Sequence, residues 1–402
     1  LRTAFLPRIG RDRGMMKDND PRGRLAMLAD EALDAAEIQT ADATPVDIVV
    51  IGAGQAGLST AYFLTRFGVA PETGFVVLDR SFGPGGAWQD RWPSLTLSTV
   101  NGVHDLPGLA FADVVDTSAG EVPAASAVPQ YYAAYEKEFD LPVHRPTTVR
   151  VVCDRGERLR VETESAVYAA RGIINATGTW ERPFVPWYPG AARFTGRQLH
   201  TKDYRTAEDF TGKHVLVVGG GISAVQLLGE ISRVTETTWV TRREPAWSEE
   251  PFTAERGHAA VALVEDRVRR GLPPGSVVSV TGLPLTPALR AARERGVLER
   301  SPMFSEITET GVRWSDGRTL DVDAILWCTG FRSSLDHLAP LSLRNAGGGI
   351  TMDGRLATRV AKDPRIHLVG YGPSASTIGA NRAGRAAARE LLDHLTREVP
   401  QQ

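Results

Sequence analysis

Two short glycine runs in this chain could each hold a nucleotide diphosphate. In "GAGQAG", Gly52, Gly54 and Gly57 follow the apolar run "VDIVVI" and precede "LSTAYFLTRFG", whose apolar residues recur at helical spacing. That order predicts strand, turn and helix. The first glycine makes the tight turn, the second lets the backbone approach a pyrophosphate, and the third lets the helix pack on the strand. Unpaired N–H groups and the dipole at the helix N-terminus then attract the anion. Gln55 sits inside this loop. Asp79 ends the next apolar run, "GFVVLD", where an acid would accept a ribose hydroxyl. The second run, "GGGISA", supplies Gly219, Gly221 and Ala224 with Ser223 between them, alanine being allowed at the third position. Its following strand, "TTWVT", ends on Arg242 and Arg243 instead of an acid. A carboxylate there would repel a 2'-phosphate that an arginine fork would bind, so NADPH is favoured over NADH. Two solvated surface arginines are the plainer alternative. Paired sites of this kind in one chain normally hold FAD and a nicotinamide nucleotide, and hydride transfer is their minimum chemistry.

Positioning two such loops requires an α/β architecture of two Rossmann-like dinucleotide-binding domains. At 402 residues the chain is long enough for two or three folding units. Valine-rich runs from Val149 to Ala176 predict a small β-meander, and Asp316-Gly317 predicts a hairpin between two alternating runs. Apolar periodicity near 258–270 and 287–296 predicts helices. The last strand, "RIHLVGYG", and the Gly- and Ala-rich helix from about Ile378 to Leu395 have no partners unless they return to the first unit. The NADPH domain is therefore expected to be inserted into the FAD domain. The expected divisions are a leader and short helix over 1–44, the first part of the FAD domain over 45–190, linker and NADPH domain over 191–325, and the FAD-domain return over 326–402. The short helix is read at 24–38. Residues 1–20, with Met15 and Met16 in a polar stretch, read as a disordered leader or in part a start-site artefact.

Composition narrows the function classes. Acids and bases nearly balance, for a formal charge of -2, which does not favour nucleic acid or an anionic membrane as partner. No apolar run reaches a membrane span and no signal-peptide pattern opens the chain, so a cytoplasmic location is expected. Cys153 and Cys328 are far apart in apolar runs and read as buried, inert thiols. They give neither a disulfide framework nor a metal site. Disulfide reductases of double-dinucleotide architecture need a redox cysteine pair beside the flavin. This chain has no C-x-x-C, so a reduced flavin must pass its electrons elsewhere.

Five segments, in order, carry a resemblance: "GAGQAG", "GGAWQDRW" at 85–92, "FTGRQLHTKDYR" at 194–205, "GGGISA", and "LWCTGF" at 326–331. Over about residues 46–395 the chain resembles class B flavoprotein monooxygenases, and most closely the flavin-containing monooxygenase branch. The linker motif departs from that branch in Thr201, where serine is usual. It departs from Baeyer-Villiger enzymes in ending on Tyr204-Arg205 instead of Trp followed by Pro or Asp. The resemblance implies that this linker sets the relation of the two domains, with His200 as a hydrogen-bonding latch. It implies that Asn101 donates to a peroxide oxygen at the flavin, that Gly86 and Trp88 belong to the FAD wall, and that Gly330 and Gly372 lie in turns near the cofactors. The implied reaction uses NADPH to reduce FAD and delivers one oxygen of O2, through a C4a-hydroperoxyflavin, to a small soft nucleophile by N- or S-oxygenation. Baeyer-Villiger oxidation, an NADPH oxidase or electron-transfer flavoprotein without oxygenation, and a nucleotide-binding redox sensor remain as alternatives. The sequence is compatible with a homo-oligomer and does not specify the substrate.

Overall fold

The computed structural model describes residues 43–100, 102–118, 120–248, 254–275 and 282–397. The leader, the helix expected over 24–38 and Asn101 lie outside them. Strand β1 (Thr44–Ile51) runs through the middle of the first sheet, its Ile48, Val49 and Val50 fully buried. The first glycine loop turns it into α1 (Gln55–Arg66), whose Leu58 and Leu64 are inaccessible to solvent. Gly68, at φ +86°, lets the chain leave the helix end, as its position predicts. β2 (Phe75–Leu78) then pairs parallel with β1, and after α2 (Ala124–Glu138) the short β3 (Val143–His144) extends the sheet. The valine-rich region forms the expected meander: β4 (Val149–Arg155), β5 (Arg158–Thr163) and β6 (Val167–Asn175) pair in antiparallel order. β6 also lies parallel to β1. Alternate β1 residues enter two core clusters, Ile48 and Val50 in one and Val49 and Ile51 in the other, so both faces of the sheet are buried, consistent with the continuous apolar runs of its central strands.

The second sheet begins with the linker strand β7 (Arg197–His200), followed by β8 (His214–Val218), α3 (Ile222–Ile231) and β9 (Glu236–Thr241). The two-residue strands β10 (Trp247–Ser248) and β11 (Leu283–Pro284) pair with each other. The helices expected in this stretch are α4 (Ala254–Arg269) and α5 (Pro287–Glu294); Thr286 caps α5 by accepting from the Leu289 N–H. β12 (Arg300–Pro302) joins the sheet edge. The Asp316-Gly317 signal sits in a three-stranded antiparallel patch, β13 (Glu306–Ile307), β14 (Gly311–Arg313) and β15 (Thr319–Asp321), with Gly317 at φ +89°. β16 (Ala324–Trp327) completes the parallel order β12-β9-β8-β16-β7. A boundary after residue 325 is thus too early: β16 pairs with β7 and β8 through Trp327, and the second unit extends at least that far.

The chain then returns. β17 (Met352–Asp353), β18 (Arg359–Val360) and β19 (Asp363–Leu368) add to the first sheet, where β19 lies parallel to β6. α6 (Thr377–Arg397) packs on α1. A Cβ on Gly384 would come to 3.0 Å from Thr60 N, so a larger residue would force the helices apart. The nested order follows directly from this return. Among the described residues no helix is long and apolar enough to cross a membrane.

Candidate active site

The three glycines of the first loop do three different things. Gly52, at φ +100°, donates its N–H to Leu78 O at 2.7 Å, and a Cβ there would come to 2.7 Å from Ala176 O. A Cβ on Gly57 would overlap the Gly52 carbonyl oxygen. A Cβ on Gly54, the N-cap of α1, would meet no protein atom within 4 Å. Packing therefore explains the first and third glycines. The second faces open space over a helix N-terminus that no side chain caps, which suits a close-approaching diphosphate.

Around this loop lies a cavity of about 400 Å³ lined by Asp79, Gly86, Trp88, the 176–178 turn and the start of α6. Asp79 is buried. Its Oδ2 accepts from the Ala53 N–H at 2.6 Å and its Oδ1 from the Ser81 N–H at 2.9 Å, so it braces the glycine loop besides facing the cavity. Each carboxylate oxygen retains acceptor capacity for a ribose hydroxyl. Behind it Arg145 forks onto Glu136 at 2.6 and 2.7 Å, with its Nε 3.5 Å from Asp79. Gly86, at φ +53°, crosses the first loop closely enough that a Cβ would lie 3.1 Å from Gly54 Cα. The side chain of Gln55 is taken by the protein: it accepts from the Tyr132 hydroxyl at 2.6 Å and donates to Asn381 Oδ1 at 2.8 Å. The return turn reaches the cavity through Gly370 and Ser374–Thr377. Gly372 packs against α4 instead, where a Cβ would lie 3.0 Å from Val268 Cγ1.

The second loop repeats the logic. Gly219 has φ +143°, a Cβ there would overlap Cys328 O, and its own carbonyl accepts from Trp239 Nε1–H at 2.7 Å. Gly221, the N-cap of α3, would place a Cβ in open space, while Ala224 is fully buried and Ser223 half-buried on the first turn. β9 ends at buried Thr241, whose hydroxyl donates to Arg243 O at 2.6 Å; Arg242 and Arg243 themselves are exposed. Cys328 is buried and its thiol is pushed up to about 12, so it stays unreactive; Cys153, expected to be buried, is only half-buried because its strand lies in the outer hairpin.

Between the two loops the linker is tied down at several points. His200 Nδ1 accepts from the Lys202 N–H at 3.1 Å, which leaves the proton on Nε2, and Nε2 donates to Gly330 O at 3.0 Å. Burial holds this imidazole below its usual pKa, so it is a neutral latch with both nitrogens committed to backbone. Its ring meets Phe331 edge-on at 4.8 Å, and Phe331 stacks on Trp180 at 5.0 Å. Lys202 and Arg80 both reach Glu181 Oε2, at 2.9 and 2.7 Å. Tyr204 is fully buried, donates to Glu230 Oε1 of α3 at 2.8 Å, and stands edge-on to Trp92. Gly196 is needed because a Cβ would lie 2.5 Å from Asp323 O.

Arg91, Trp180, Glu181 and His337 also line the cavity; the sequence reading assigns them no role, Arg91 although it lies within "GGAWQDRW", because nothing in the sequence shows which single residues the fold brings to the cavity. His337 donates from Nε2 to Asn175 Oδ1 at 2.7 Å, and burial pushes its pKa down to about 4.

Comparison with known proteins agrees with this geometry. Residues 49–262 match the pyridine nucleotide-disulphide oxidoreductase family model. The fold superposes on a flavin-containing monooxygenase from Stenotrophomonas maltophilia with a TM-score of 0.73 and 38% identity, covering 88% of this chain and 99% of that one. Among curated proteins, the uncharacterized oxidoreductase CzcO of Bacillus subtilis is 26% identical over 77% of this chain and 86% of its own length. Indole-3-pyruvate monooxygenase YUCCA1 of Oryza sativa subsp. japonica is 29% identical over 76% of this chain and 80% of its own length.

Proposed function

The chain belongs to the flavin-containing monooxygenases, within the pyridine nucleotide-disulphide oxidoreductase family, and from that premise we propose that it is an FAD- and NADPH-dependent enzyme that oxygenates nitrogen or sulfur in a small soft nucleophile. The observation that carries this reading is the pairing of two glycine loops, each with its second glycine facing open space, in a chain with no adjacent cysteines to receive electrons. The first unit, 45–190 with its return segment, would hold FAD through the Gly52–Gly57 loop, Asp79, Gly86 and Trp88. The inserted unit would hold NADPH through the Gly219–Ala224 loop, with Arg242 or Arg243 forking the 2'-phosphate.

Bound flavin supplies hydride acceptance and the activation of O2. The protein's own work is positional. His200, neutral and pinned to Gly330, fixes the linker, and Tyr204 anchors the linker to α3 through Glu230. Together they would hold the nicotinamide nucleotide in place and exclude water while oxygen is transferred. Asn101 is assigned the amide that donates to the reacting oxygen. A cytoplasmic location suits an enzyme with two free thiols and a demand for NADPH. The test is incubation with NADPH and a panel of amines, sulfides and ketones, followed by mass spectrometry. A gain of one oxygen on amines or sulfides is expected. Lactones or esters from the ketones alone would replace this reading with Baeyer-Villiger oxidation.

A further inference from the structure

Two arginines line the cavity, and they are placed very differently. Arg80 is exposed and lies 2.7 Å from Glu181, a carboxylate it shares with Lys202. Arg91 has no carboxylate at ion-pair distance among the described residues. Its guanidinium lies 4.3 Å from the centroid of the Trp180 ring and 5.9 Å from that of Trp88, and its Nε is buried without an acceptor. Trp180 is only 5% exposed, and its indole N–H also has no acceptor. A half-buried cation without a carboxylate partner, its Nε buried, and an orphaned indole donor each cost free energy. Burial lowers the Arg91 pKa to about 10, which leaves it charged at neutral pH. Two such groups stacked on one cavity wall are explained by a ligand that brings the missing acceptors.

The position of Arg91 indicates which part of the ligand. Its backbone N–H bonds Trp88 O at 3.1 Å, so it continues the turn in which Gly86 crosses Gly54 at the N-terminus of α1. That helix end offers roughly half a positive charge, against the two negative charges of a dinucleotide diphosphate. The first turn of α1 carries no cation, and the other cavity arginine is paired.

We propose that Arg91, held flat against Trp180, is the cation that neutralises the diphosphate of bound FAD, with the Trp180 indole N–H as a second donor. The inference rests on the FAD reading above and adds to it a residue outside the dinucleotide fingerprint.

The test uses full-length apoprotein stripped of flavin, titrated with FAD by fluorescence and with ADP as competitor. ADP shares the adenosine diphosphate and lacks the flavin ring. Arg91→Ala should weaken FAD and ADP alike by about 10- to 150-fold, the range for hydrogen bonds to charged groups. Arg91→Lys should recover part of the loss, and Trp180→Phe, which keeps the stacking plane, should weaken both ligands by about 10-fold or less. The Arg91→Ala apoprotein should melt no lower than wild-type apoprotein, because a half-buried charge without a carboxylate partner has been removed. FAD and ADP binding indifferent to Arg91→Ala overturns the proposal. So does a loss confined to FAD, which would put Arg91 at the flavin ring, or an apoprotein destabilised as much as the holoprotein, which would make the residue structural. Wild-type apoprotein that takes up no FAD overturns the functional reading and this inference with it; normal wild-type binding with an indifferent variant overturns this inference alone.

Discussion

Adding one methyl group at Gly54 or at Gly57 should have opposite consequences. Gly54 has φ -81° and ψ -170°, a conformation open to any residue, and its added Cβ would touch nothing within 4 Å. Gly54→Ala should therefore fold normally. The gain of about 0.4–1 kcal/mol from a less flexible unfolded chain offsets a small loss at the N-cap, leaving apoprotein stability nearly unchanged. The same methyl would occupy the diphosphate's approach. Overpacking of one methyl typically costs about 1–3 kcal/mol, or roughly 5- to 150-fold in the Kd for FAD. At Gly57 the added Cβ would overlap the Gly52 carbonyl oxygen in the absence of any ligand. Gly57→Ala should thus destabilise the apoprotein by about 1–3 kcal/mol. Urea unfolding of flavin-free protein and FAD titration separate the two effects. A Gly54→Ala protein that binds FAD like the wild type would refute the assignment of that open space to the diphosphate. A Gly57→Ala apoprotein as stable as the wild type would refute the packing argument.

Other outcomes follow from the same geometry. NADPH should reduce the flavin at lower concentration than NADH, and loss of the forking arginine, Arg242 or Arg243, should reduce that preference by roughly 10- to 150-fold, from about 1.5–3 kcal/mol; equal KM values for the two nucleotides in the wild type would contradict it. His200→Ala should loosen the Gly330 contact and raise the KM for NADPH more than it lowers kcat, as steady-state kinetics would show, whereas a large loss of kcat at unchanged KM would give the imidazole a chemical role. Acid should destabilise the fold through the buried histidines. Folded pKa values of about 4 for His337 and about 3 for His367 lie below the ordinary 6.5, so the unfolded chain binds more protons. Stability is then fully present above about pH 6.5 and falls as pH drops toward 4 and below. Urea midpoints across this range should show His337→Asn flattening the slope, and a parallel curve would argue against the assignment.

The parts of this molecule legible from sequence are those built by repetition. Strand-turn-helix patterns with three glycines at fixed offsets locate both loops because backbone geometry, not side-chain partnership, dictates them. The nested order was legible as well, since "RIHLVGYG" needed a partner and found β6. Contacts between distant single residues were not. Nothing in the sequence pairs Lys202 with Glu181, sets Arg91 against Trp180, or commits the Gln55 side chain to Tyr132 and Asn381. Gly372 shows the same limit: its motif put it near the cofactor, but the approach of α4 decides what it touches. The boundary drawn ahead of Trp327 missed because strand β16 reads continuously into the turn, and only its pairing with β7 and β8 shows which sheet it serves.

In the proposed reaction, electrons from NADPH and one atom of O2 meet in an organic product. It is tested most directly by supplying FAD-loaded protein with NADPH and isotopically labelled O2 in the presence of an amine and a sulfide. The fate of the label is then followed by mass spectrometry while NADPH consumption and hydrogen peroxide are measured. One labelled oxygen atom is expected in the product for each NADPH oxidised beyond the peroxide released. NADPH consumption matched throughout by hydrogen peroxide, with no label in any amine or sulfide, would contradict it and leave an oxidase.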